Sequence, residues 1–196
     1  MTRLTEGTLQ CEFDDGCEAI KFDKTDWHRQ KFGHCQAVDI LATCQGQHWW
    51  IEIKDCHGDE QASLPRLSPA EPDEVAATRQ WVKEKGFARI VRINRCKPFI
   101  IDEVIEKMRD TLVALNFAQR AQHAALRPHA AWCGSAQPLT IVLLLTWDVP
   151  DFRRFAGRLQ QKLTTALLPY GLTGSVVNEH ALRDIGVPCA VSRIPA

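Results

Sequence analysis

Three residues whose types and spacing suit chemistry stand out in this sequence: Asp39, Glu52 and Lys54. They fall in two apolar runs, Ala37-Val38-Asp39-Ile40-Leu41 and Trp49-Trp50-Ile51-Glu52-Ile53-Lys54-Asp55. Both runs have the β-branched and aromatic content of strands. Gln45-Gly46 lies between them, and Gly46 supplies the positive φ that a tight hairpin turn needs. A two-residue turn there sets Cys44 against Gln47 and, counted outward, Asp39 against Glu52. Residues directly opposite in a hairpin have Cβ atoms ~5 Å apart on one face. Lys54 shares that face ~7 Å farther along the strand. Two carboxylates so close repel each other, and a hard divalent cation removes the repulsion by taking their oxygens as ligands. The lysine then stands beside the cation as a fixed positive charge. Asp39 and Glu52 are enclosed by apolar neighbours, as in strands covered on both faces, where charges are rarely placed without a partner. The reading depends on the two-residue turn, since a one-residue slip would put the acids on opposite faces.

Ala37-Val38-Asp39-Ile40 followed by Trp50-Ile51-Glu52-Ile53-Lys54-Asp55 resembles the PD-(D/E)xK nuclease superfamily, also called restriction-endonuclease-like. Val38 stands where the family name has proline. The resemblance covers residues 36–56 and extends more loosely to 18–23 and 107–112, the latter like a helix beside the site in small bacterial relatives. It implies Mg²⁺- or Mn²⁺-dependent hydrolysis of nucleic-acid phosphodiesters. Asp39 and Glu52, with a carbonyl such as that of Ile53, are the implied metal ligands. Lys54 is implied to orient or deprotonate the attacking water and to steady the pentacovalent phosphate. Many members carry a further acid on an early helix. Glu18 is the first candidate here and Asp23 the second, because residues 17–23 read equally as strand or helix. The implied partners are a nucleic-acid substrate, DNA ahead of RNA, a second copy in a homodimer, and proteins of a defence or repair assembly. The alternative is a nucleic-acid- or protein-binding regulator on the same fold that does not cut.

These residues need a scaffold, and 196 residues suffice for one sizeable core but not two. The expectation is a single α/β domain over 1–196, with a mixed central sheet flanked by helices. Twenty-four basic and 24 acidic residues balance, which counts against a protein that coats DNA through phosphate contacts alone. Eight cysteines lack any C-x₂-C spacing, so reduced, mostly buried thiols are expected in preference to a zinc, iron–sulfur or disulfide framework. The first residues lack a signal-peptide core, and the run around Ile141–Leu145 is too short to span a bilayer, so a cytoplasmic protein without membrane contact is expected. No H-x-x-x-H pair and no nucleophile signature competes with the acid–acid–lysine set; His57, just past it, reads as a surface residue.

Residues 8–13 read as a strand before the turn Asp14-Asp15-Gly16, and 36–44 and 47–55 form the hairpin. Polar, proline-containing residues 57–73 form a surface connection, or a flap over a substrate. A helix follows over 73–85, a short strand over 88–93, and a long helix from Pro98 to about Ala125. On that helix Glu103 and Lys107 are four apart; their ion pair on a solvated face is the simpler reading, and a phosphate contact from Lys107 the sharper one. Leu139–Trp147 reads as the central strand and 150–168 as an amphipathic helix with Phe152, Phe155, Leu159, Leu163 and Leu167 inward. Arg153, Arg154, Arg158 and Lys162 lie on its polar side. Residues 175–194 read as strand, short helix and strand.

Overall fold

A computed structural model describes residues 1–93 and 97–195. Cys96 lies outside the described residues. The chain opens with β1 (Thr2–Glu6), β2 (Leu9–Phe13) and β3 (Glu18–Lys21), then α1 (Asp26–Lys31). The hairpin of β4 (Ile40–Cys44) and β5 (Gln47–Asp55) follows, and after it α2 (Glu60–Ser63), α3 (Asp73–Glu84), α4 (Ile100–Arg120) and α5 (Arg127–Ala130). The last elements are β6 (Leu139–Thr146), α6 (Val149–Leu167), β7 (Thr173–Val177) and β8 (Cys189–Arg193).

Five strands form a mixed sheet in the order β3-β4-β5-β6-β7. The first three are antiparallel, while β5, β6 and β7 run parallel. β1, β2 and β8 form a second, antiparallel sheet. Side-chain alternation along a strand sorts residues between two cores. Leu41, Trp50, Ile141, Leu143 and Leu145 face α4 and α6, whereas Ile40, Trp49, Ile51, Val142 and Leu144 face Leu9, Phe13 and Cys189 of the smaller sheet. β6 is therefore apolar on both faces, as a central strand must be.

The fold is the expected mixed α/β arrangement, with several local differences. β4 begins at Ile40, not at residue 36. The Val38 amide donates to Thr111 Oγ1 at 3.1 Å and the Gln36 amide to Asp110 Oδ2 at 2.8 Å, so α4 takes donors that a strand would spend on a ladder. Residues 88–93 form a turn and an irregular stretch instead of a strand, with Ile90 80% exposed. The smaller sheet is tied to the larger by Asp55, which accepts from Thr8, Thr146 and Arg193. These donors hold the Asp55 carboxyl well below the usual carboxylate range against the cost of burial.

The thiol expectation is also corrected: Cys17 and Cys44 form a disulfide, with Cα atoms 4.5 Å apart. The antiparallel register that sets Glu18 against Thr43 places these two cysteines opposite each other one rung farther on. A 27-residue sequence separation hides that adjacency from any spacing argument. Cys11, Cys35, Cys56, Cys133 and Cys189 are free. Among the described residues, no helix is long and apolar enough to cross a membrane.

Candidate active site

Gln45 and Gly46 both have positive φ, 50° and 80°, the pair of values that a two-residue hairpin turn of the primed type requires. The ladder then runs from Cys44 opposite Gln47 to Ile40 opposite Ile51. The next rung faces Asp39 with Glu52, the register counted from the sequence. Asp39 lies just outside β4 and is held by its neighbours. Its carbonyl accepts from the Phe22 amide at 3.0 Å, and its Oδ2 accepts from the Ile53 amide at 2.7 Å. Alternation directs Asp39, Glu52 and Lys54 to the helical face of the sheet, toward α4.

There the side chains alternate in sign. Lys107 Nζ lies 3.6 Å from Asp39 Oδ1 and 2.6 Å from Glu52 Oε1. Lys54 Nζ lies 2.6 Å from Glu52 Oε1 and 2.6 Å from Glu103 Oε1. Arg66, from the turn after α2, pairs with Glu103 Oε2. The sequence Asp39–Lys107–Glu52–Lys54–Glu103–Arg66 is thus an unbroken row of opposite charges. Burying an ion costs several kcal/mol, and only close partners of opposite charge offset it.

Glu52 is fully buried, and its Oε2 has no hydrogen-bond partner among the described residues. Burial first and the Asp39 carboxylate second push its pKa to about 7, against the pull of Lys54 and Lys107. Burial also raises Asp39, opposed by Lys107 and the Ile53 amide. Burial alone would lower Lys54, but Glu52 and Glu103 outweigh it and hold the ammonium above the ordinary lysine value. Lys54 in this arrangement is a cation at neutral pH and not a base.

Asp39 and Lys107 open onto a cleft of ≈ 460 Å³ that is also bordered by Asp23, His28, Arg29 and Cys35. Of the two further acids, Asp23 borders this cleft and Glu18 does not. Glu18 is exposed, paired opposite Thr43 at the other end of β3, and does not reach the site. Asp23 follows Phe22, whose amide grips Asp39, and its Oδ1 is buried without a hydrogen-bond partner. His28 Nε2 is likewise buried and unpartnered at the same cleft. His57 stays on the surface facing Glu60.

The spacing of α4 had suggested a surface pair between Glu103 and Lys107; instead each turns inward to a residue of β5. A signal for this existed. Glu103 and Lys107 fall beside Ile100, Val104, Met108 and Thr111, all buried, so they border the apolar stripe. Arg66 had no such signal, because it sits in a proline-containing connection without periodicity.

A divalent cation bound here would have Asp39 and Glu52 as its carboxylate ligands. Mg²⁺ keeps several waters and needs only one or two protein carboxylates, and the unpartnered Glu52 Oε2 is an oxygen with capacity for it. Among the described residues no group of three or more His, Cys, Asp and Glu side chains is placed to hold a metal, so Asp39 and Glu52 would have to suffice. No protein-family model, no curated protein and no solved structure matches the chain.

Proposed function

We propose that this protein hydrolyses nucleic-acid phosphodiester bonds with a divalent metal, in the manner of the PD-(D/E)xK nucleases. The observation that carries the reading is the buried Glu52 facing Asp39, with a carboxylate oxygen left unpartnered and the Lys54 ammonium 2.6 Å away. The mixed sheet, in which the antiparallel hairpin bearing the acids passes into parallel strands, supports a restriction-endonuclease-like core.

Asp39 and Glu52 would hold Mg²⁺ or Mn²⁺, which supplies positive charge against the phosphate oxygens and acidifies water. The remaining work falls to the chain itself. The Ile53 amide fixes the Asp39 carboxylate, so no reorientation is needed when substrate enters. Lys54 stays protonated between Glu52 and Glu103 and serves as a positioned charge for the attacking water and the phosphate. Lys107 borders the cleft and can meet a phosphate there. DNA is the substrate class placed ahead of RNA, the compartment is the cytoplasm, and a homodimer or a defence or repair assembly is its setting.

Cleavage of mixed single- and double-stranded DNA and RNA in Mn²⁺ tests the reading. Lys54→Ala is expected to lower the rate roughly 10²–10³-fold, as when one preorganised charge-stabilising donor is lost. Glu52→Gln should be at least as damaging. Unchanged cutting in both variants would place the chemistry elsewhere. One observation favours a second reading, a non-cutting binder on the same fold: Lys107 and Lys54 already satisfy Glu52 from both sides. Metal binding without cleavage of any substrate would select it.

A further inference from the structure

Residues 73–93 form an arm of the chain between the Glu-x-Lys strand and α4 in sequence, and most of them are exposed. Val82 is the one residue of α3 that is buried. Trp81 is 54% exposed, and Phe87, Ile90 and Val91 are exposed beyond it. A 12-residue helix has little stability in water unless its face is covered, so α3 without a partner is a surface prepared for one. The arm nevertheless has internal order. The Arg79 guanidinium donates to Glu71 Oε2 at 2.7 Å and to the Ile93 carbonyl at 2.9 Å, closing the base of the loop.

Charge identifies the partner. The whole chain is balanced, whereas residues 73–93 set Arg79, Lys83, Lys85, Arg89 and Arg92 against Asp73, Glu74 and Glu84. A groove of ≈ 600 Å³ is lined there by Arg79, Lys83, Arg89 and Arg92 around Val82 and Ile90. Lys83, Arg89 and Arg92 have no ion-pair partner among the described residues. Exposed aromatic rings interleaved with cations fit a polymer that alternates flat bases with phosphates, and the rings need bases that are not already paired. An interfacial membrane helix would instead insert a broad apolar face, whereas α3 offers chiefly Trp81.

We propose that this arm binds single-stranded nucleic acid, with Lys83, Arg89 and Arg92 on phosphates and Trp81 and Phe87 as stacking platforms. In the sequence Arg66 precedes the arm and Glu103 follows it, and these two residues pair at the site. The inference rests on the proposed function only for the substrate being a nucleic acid, and it explains how a neutral protein would hold one.

Anisotropy of a labelled 15-nucleotide single strand with the full-length protein in EDTA tests binding apart from cleavage. Trp81→Ala is expected to weaken binding about tenfold and Trp81→Phe to retain it. Replacing Lys83, Arg89 and Arg92 together by Gln should reduce the slope of log affinity against log salt by about 2. Melting midpoints should not change, since these side chains are exposed. Affinity and salt slope unaffected by these variants would overturn the proposal. So would an absence of single-strand binding, or a preference for duplex or for vesicles containing phosphatidylserine. Arm-dependent binding without any cutting would sink the enzyme reading alone, and cutting that ignores the arm would sink this one alone.

Discussion

Lys107 stands where a cation does most for the protein, against a fully buried carboxylate and within 3.6 Å of a second. Its ammonium relieves the repulsion that Asp39 and Glu52 would otherwise feel, so a bound metal ion and Lys107 do the same electrostatic work. Lys107→Met is therefore expected to lower stability without metal by roughly 2–3 kcal/mol. That is below the range for fully buried pairs, because Lys107 keeps 16% side-chain exposure. Saturating Mn²⁺ should restore much of the loss by mass action and should also raise the wild-type melting midpoint. Asp39→Ala should respond to Mn²⁺ in neither background. An equal Mn²⁺ shift with and without Asp39 would show that the metal binds elsewhere. Of this site the sequence revealed Asp39, Glu52 and Lys54, because turn chemistry and strand period fix their common face. It concealed Lys107, Glu103 and Arg66, because their positions depend on how α4 and the connection before it lie on the sheet.

At the scale of elements, α6 and β7 show how tightly the helical layer fits. A Cβ on Gly174 would come within 2.5 Å of Leu167 Cδ1 and 2.9 Å of Leu163 Cδ2. Both leucines are fully buried, so neither has free space to move into. Gly174→Ala is expected to cost ~1–3 kcal/mol, read as a lower denaturation midpoint with unchanged slope. A neutral outcome would mean that α6 can lift from β7. The same helix caps the strand edge, since Gln160 donates to the Gly174 carbonyl at 2.7 Å and accepts from the Val176 amide at 2.8 Å. The apolar periodicity of α6 marks both its ends to within one residue, whereas α4 stops at Arg120, short of the expected Ala125. β3 was ambiguous because Glu18–Lys21 has only four residues and mixes charge with apolar side chains. The segment 88–93 has strand-like residues but no neighbouring edge to pair with, and propensity alone does not form a strand.

Across the whole molecule, the parallel neighbours β5 and β6 join chain segments far apart in sequence; Asp55 and Thr146, bonded across them, are 91 positions apart. The β4–β5 hairpin can close in ~1–10 μs, but β6 must first enclose a long connection containing α3 and α4. The hairpin is therefore expected to form before β6 pairs with β5. On that order the two acids and Lys54 would meet early, in water and fully hydrated, and Lys107 would arrive with the later docking of α4. Val142→Ala, which thins the β6 contact opposite Ile51, is expected to slow refolding. Lys107→Met is expected chiefly to speed unfolding, and stopped-flow kinetics in denaturant would separate the two arms. Slower refolding in Lys107→Met would show that α4 docks before β6. On that order the facing carboxylates would be assembled before they are dry, and desolvation of Glu52 would be among the last events on the route to the native state.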